Sequence, residues 1–411
     1  MAKLLVIIIV FTFSACSSKK AEVPPRFKEI EHLKAYSTDA EPDSNIKFIN
    51  ETILEAPDSI SINWWGQNSV YPNIHWLAGI ETDDSGEIYI GDSNNIGIHV
   101  FDNDGHYLST LGREGYGSGE YSGIYPIRIA SDSLFVYDGQ QQKLVMYPID
   151  SLQNYVEKSV RTVPENLDAN EEVAGWFAGP IYLMGDGSLL VGFYEHLKNL
   201  NKGSPNYNVD QRRPVKYYFM DQERMIISDE IFELDDYEDI FTEKGGTLRS
   251  NLGPYPFLGQ TLIAISGNDY IYTNWTDDFL IRVYDSNGQY HHAIYYPFQN
   301  KPLKREQLFS LFSEDNEPTW ELVQYANLPE TWPAIQSMIA DDKNRLWIST
   351  KIEKDGVYEW WVLHQEGELI ARFQWPDDLS IETVKNGHAY VLESDKETQL
   401  DMLKRYRIRM E

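Results

Sequence analysis

One hairpin recurs six times along this chain, and that recurrence limits the fold more than any other feature. Each copy opens on an apolar residue, passes through a polar turn and enters a second strand that commonly reads apolar-aromatic-apolar. The copies are IETDDSGEIYIGD from Ile80, IASDSLFVYD from Ile129, LMGDGSLLVGF from Leu183, ISGNDYIYTN from Ile265, IADDKNRLWIST from Ile339 and VKNGHAYVLES from Val384. Most are followed by two further strands around an Asp or Gly corner, as in GIHVFDNDGHYLSTLG and LIRVYDSNGQYHHAIYYP. Four strands repeated at a spacing of roughly 40 residues or more is the unit of a β-propeller blade.

The sequence therefore predicts an all-β, six-bladed β-propeller with four-stranded antiparallel blades, occupying residues 46–411. The sixth copy is followed only by DMLKRYRIRME, one strand short of a blade, so Ile46–Pro57 is the expected donor of the missing outer strand, which closes the ring and leaves no open edge. Two insertions interrupt the pattern. One lengthens a hairpin of the third blade (YEHLKNLNKGSPNYNVDQRRPVKYY). The other, residues 304–325, places Leu308, Phe309, Leu311 and Phe312, then Trp320, Leu322, Val323 and Tyr325 at helical spacing, which predicts short helices between blades four and five.

The corner FDNDG (Phe101–Gly105) invites a calcium-loop reading, and its spacing rejects it. With Gly105 as the loop glycine, the first ligand position falls on Val100, which offers no side-chain oxygen. Asn103, Asp104 and Gly105 instead suit a hairpin turn that needs positive φ.

The chain begins MAKLLVIIIVFTFSAC, one Lys followed by an apolar run too short to span a bilayer comfortably, which has the layout of a secretory leader over residues 1–15. Ser14, Ala15 and Cys16 resemble a bacterial lipobox, with Cys16 the lipidated first residue of the mature chain. Residues 16–45 are polar, with Pro and charges, and read as a flexible tether. Cys16 is the only cysteine of 411 residues, so the folded domain has no disulfide, thiolate metal cluster or cysteine nucleophile. A formal charge of −29 excludes nucleic acid as a partner, because binding a polyanion rests on clustered Lys and Arg. The expected partner is the membrane, through the lipid, with a small molecule, glycan or protein at the propeller mouth. SSKKAE after Cys16 carries no acidic cluster and points to an outer-membrane anchor facing the periplasm.

Val100–Tyr121, and LGREGYGSGEY within it, resembles the six-bladed propeller lipoproteins of Bacteroidota, themselves similar to NHL-repeat propellers. The resemblance implies a secreted, membrane-anchored propeller and hands over no catalytic residues. Read without it, the Gly-rich segment leads into another strand pair rather than into a helix, so it is a connection between blades and not a phosphate cradle.

Chemistry in a propeller is expected at the hub, where the entering strand of each blade lines a channel. Just before each opening apolar residue stand Gly79, Arg128, Tyr182, Ala264, Met338 and Thr383, of which only Arg128 and Tyr182 hydrogen-bond strongly. His75, Trp76, Gln336 and Glu382 complete the candidate ligand-binding set, and Trp64 and Trp65 offer further stacking surface. Arg128 suits an anionic ligand or an acidic neighbour. No metal site and no cofactor is expected: a central lactonase-type cation needs several carboxylates where Glu382 stands alone, and a lyase-type zinc needs several His at matching depth where only His75 enters. His291 and His292 fall on an outer strand, where exposure or packing explains them. The reading is a binding or interaction scaffold, with a propeller hydrolase or lactonase holding a central divalent metal as the alternative.

Overall fold

The computed structural model describes residues 21–54, 77–93, 96–152, 156–159, 173–194, 212–221, 225–238, 241–244, 247–250, 255–309, 320, 323–394 and 401–411. Six antiparallel sheets succeed one another along the chain, each starting on an inner strand: Leu77–Thr82, Ile124–Ala130, Phe177–Leu183, Thr261–Ile265, Ser337–Ala340 and Leu379–Lys385. Five are four-stranded, and the fourth carries a fifth strand. The protein is a six-bladed β-propeller.

Apolar alternation explains how the blades lock together. The middle residue of the motif's three-residue run in each second strand (Tyr89, Phe135, Leu190, Tyr272, Trp347, Tyr390) packs into the cluster shared with the following blade. Its flanking residues, such as Leu134 with Val136 and Leu346 with Ile348, pack into the cluster shared with the preceding one. Successive side chains of a strand point to opposite faces, so a sheet sandwiched between two others needs apolar residues at every position. That is why IYI (88–90) and LFVY (134–137) read as unbroken apolar runs rather than as alternating ones.

The ring closes as the sequence predicts. Ile46–Leu54 pairs antiparallel with Asp401–Met410 as the outermost strand of blade six. Phe48 on this strand lies 5.0 Å from the ring of Phe373 and 4.7 Å from that of Trp375, both on blade five.

Residues 16–45 read as a tether on composition, yet part of this stretch is folded onto the rim. Leu33–Ala35 pairs in parallel with Ala293–Tyr295 as the fifth strand of blade four. Arg372 then donates to the Thr38 carbonyl (2.8 Å), Tyr36 to that of Glu366 (2.8 Å), and Ser44 N–H to that of Ile370 (2.9 Å). Three residues, LKA, carry too short a pattern to announce a strand.

The Asp-Gly corners are architectural. Around 83–87, 102–106, 184–188, 266–270, 285–289, 341–345 and 364–368 the same five-residue turn forms, its first residue exchanging backbone hydrogen bonds with the fourth and fifth. At 102–106 the Asp102 Oδ1 accepts from the amides of Asp104 (2.9 Å) and His106 (2.8 Å), and Gly105 takes the positive φ of 88°. Those amide bonds, with the His106 ring, hold the Asp102 carboxyl below its usual range.

LGREGYGSGEY is the connection from blade one to blade two, coiled around one carboxylate. Glu120 accepts from Arg113 Nε (2.9 Å) and from the Gly117 amide (2.8 Å), while Gln141 Nε2 of blade two donates to the Gly115 carbonyl (2.7 Å). Gly112 has φ 74°, and a Cβ there would sit 2.3 Å from the Tyr121 ring.

The insertion over 304–325 contributes a helix at Arg305–Phe309 and helical residues at Trp320 and 323–325. Leu308 and Val323 pack with Tyr255, Phe257 and Trp332, so these helical residues are held by a small core of their own. Most of the blade-three insertion, residues 195–211, lies outside the described residues.

Candidate functional site

The inner strands surround a cavity of about 500 Å³ at the end of the channel where each first strand turns into its second. Arg128 and Tyr182 both line it. Glu81, Asp269, Asp342 and Lys385, which sequence reasoning missed, stand beside them.

The depth of each residue follows from hairpin pairing, and here the expected ring needs correction. The first apolar residues of the second strands, Ile88, Leu134, Leu189, Ile271, Leu346 and Ala389, pair with Thr82, Ile129, Leu183, Ile265, Ala340 and Val384. One step earlier lie Glu81, Arg128, Tyr182, Ala264, Ile339 and Thr383, so Glu81 and Ile339 replace Gly79 and Met338. The apolar residue that opens those two repeats precedes the pairing position by two residues in blade one and by one in blade five. The hub therefore holds a carboxylate at the level of Arg128, and Glu81 forms an ion pair with Lys385 of blade six.

Arg128 is committed to other blades. Its guanidinium donates to the Leu183 carbonyl of blade three (2.6 Å), to the Ser266 carbonyl of blade four (3.1 Å) and to Asp269 Oδ1 (2.6 Å). Only 13% of the Arg128 side chain and 22% of that of Asp269 meet solvent, which makes this pair part of the hub wall. Asp269 Oδ1 also accepts from the Gly185 amide (2.9 Å). A Cβ on Gly185 would stand 2.7 Å from Asp269 Oδ2, so the close approach requires glycine there.

Asp269 occupies the fourth place of its turn with φ 61°, where five of the other six turns have Gly and one has Asn344. A left-handed backbone is costly for residues other than Gly and Asn or Asp. The carboxylate is what Asp brings that Gly lacks. We expect Arg128→Met to lower unfolding stability by about 2 kcal/mol, because it strands a carboxylate and two carbonyls that a charged donor had satisfied. Adding Asp269→Asn should restore part of that loss. Additive losses in a urea double-mutant cycle would show that the two side chains do not act as a pair.

Tyr182 is half-buried beside Tyr217 and Phe232, and burial pushes its phenol well above the ordinary tyrosine range, so it serves as a neutral hydrogen-bonding group. Glu382 lies on a bulge of the blade-six inner strand, next to the cavity-lining Thr383. Gln336 is engaged in its own loop: its amide donates to the Ser349 carbonyl (2.8 Å) and its side chain to that of Pro333 (3.1 Å). His75 and Trp76, with Trp64 and Trp65, lie outside the described residues. Among the described residues, the groups able to hold a metal are His291, His292 and Glu366, and Asp102, Asp104 and His106; none of them borders the hub cavity.

Residues 74–174 match a family model described as a 6-bladed beta-propeller, DUF5128. No curated protein matches the chain. Solved structures similar to it include a protein described as exported, from Bacteroides fragilis, at 15% identity and TM-score 0.46, covering 92% of this chain and 99% of that one. A DUF4221 family member from Bacteroides vulgatus has 12% identity and TM-score 0.49, covering 90% and 99%. A PQQ-bound aldose sugar dehydrogenase from Streptomyces coelicolor has 11% identity and TM-score 0.41, covering 90% and 100%. Among the described residues no helix is long and apolar enough to cross a membrane.

Proposed function

We propose that the protein is a lipid-anchored, extracytoplasmic propeller that binds a ligand or partner at the mouth of its ring and catalyses no reaction at its hub. The observation that carries this reading is the commitment of the hub charges. Arg128 with Asp269 and Glu81 with Lys385 each join separate blades, so these four charged side chains are spent on holding the ring, and Asp342, whose Oδ1 has no hydrogen-bond partner among the described residues, is left as a single carboxylate on the cavity wall. A lactonase hub would instead converge carboxylates on one cation. Cys16 and the preceding apolar run support the anchor.

Two measurements test the proposal. Cys16→Ser is expected to move the protein from the membrane fraction to the soluble one, and an unchanged distribution overturns the anchor. Purified protein with added Ca²⁺ or Zn²⁺ is expected to hydrolyse gluconolactone no faster than buffer does. Turnover that disappears in Asp269→Ala would establish the enzyme instead.

A further inference from the structure

We propose a divalent-metal site of the Zn²⁺ type on the outer rim between blades four and five, built from His291, His292 and Glu366. It is independent of the hub reading. The outer strand Tyr290–Tyr295 pairs with Leu280–Tyr284, and between Val283↔His292 and Tyr284↔Tyr290 the register shifts, leaving His291 as an extra residue. Regular alternation would send consecutive imidazoles to opposite faces. The bulge turns them together. Their Nδ1 atoms stand 2.8 Å apart.

His292 is 2% exposed, and its Nε2 lies 3.2 Å from the Gln365 carbonyl. A carbonyl only accepts, so Nε2 carries the hydrogen and the Nδ1 lone pair faces His291. This is the outer support that metal-ligating histidines commonly have, in which a carbonyl fixes the tautomer and aims the ring. Glu366 follows Gln365, and one ligand atom from each of the three residues lies within 4.8 Å of the others. The Lys34 ammonium of the fifth strand pairs with Glu366 and is the cation that a metal displaces there. Two imidazoles and one carboxylate form a donor set suited to Zn²⁺, with its remaining position left to water. Two nitrogens on a tetrahedral zinc stand about 3.3 Å apart, so the exposed His291 ring swings out by roughly half an ångström and its proton moves through solvent from Nδ1 to Nε2, leaving a neutral imidazole with its Nδ1 lone pair on the metal.

Asp102, Asp104 and His106 form the natural control. There Asp102 Oδ1 is occupied by two backbone amides, as the turn requires.

The test is Zn²⁺ titrated by calorimetry into the full chain carrying no polyhistidine tag. One ion per chain is expected. His291→Ala and Glu366→Gln, both at positions less buried than His292, should each weaken binding by about tenfold or more, since a zinc site loses one of three protein ligands. Lys34→Met should strengthen binding by about tenfold, because a competing cation at the same carboxylate is removed. Asp102→Asn should leave it unchanged. Absence of Zn²⁺ binding, or binding unaffected by His291→Ala and lost in Asp102→Asn, overturns the proposal.

Discussion

Deleting residues 1–54 is expected to abolish the cooperative thermal transition and to yield aggregate on size-exclusion chromatography. The deletion removes Ile46–Leu54 and uncovers the whole of Asp401–Met410 as an edge. An unpaired strand of that length is a template for intermolecular pairing. Leu54 would leave the cluster between blades six and one, and Phe48 would leave the rings of Phe373 and Trp375, so both blade interfaces beside the seam loosen together. A synthetic peptide of residues 44–54 added during refolding should recover part of the monomer by taking the vacant edge. Retention of a monomeric, cooperatively unfolding ring without the strand would show that closure does not depend on it.

Trp347→Ala is expected to cost about 3–5 kcal/mol in urea unfolding, the range for emptying a buried aromatic site. The Trp347 side chain is fully buried, fills the interface of blade five with blade six, and donates from Nε1 to Asp341 Oδ2 (2.9 Å). Asp341 in turn orders its hairpin by accepting from the amides of Lys343 (2.9 Å) and Arg345 (2.8 Å). Trp347→Phe keeps a ring in the site but loses the indole donor and leaves a smaller void, for which about 1–2 kcal/mol is expected. Near-equal losses for the two variants would place the stability in the hydrogen bond rather than in the interlock.

The contrast between blades and hub shows where sequence reasoning succeeds and where it stops. A blade is made of neighbours in sequence, so its recurring apolar triplet and its Asp-Gly corners are visible as a repeat. The direction of Tyr89, Phe135, Tyr272, Trp347 and Tyr390 follows from one rule applied at one position. The hub is made of partners from different blades: Arg128 meets Leu183 and Asp269, 55 and 141 residues away. Local pattern carries no information about such pairs. In blades one and five the opening apolar residue is not the one that begins the hairpin pairing, so counting from it does not reach the depth of Glu81. One signal was available: the turn SGNDY places Asp where sibling turns have Gly or Asn. His291 and His292 show the opposite failure. Alternation separates them, and only the register shift of their strand, which no spacing announces, brings them together.

The path of the N-terminal segment has a mechanical consequence. Residues 33–54 run like a belt across the outside of three adjacent blades, gripping blade four through Leu33–Ala35, blade five through Thr38 and Ser44, and blade six through Ile46–Leu54. Tension applied ahead of residue 25 acts first on Arg26, paired with Asp278, and on Phe27, buried against Leu280 and Tyr295, and only then on the parallel strand Leu33–Ala35. The seam of the ring is thereby shielded from any force transmitted along the leading end of the chain.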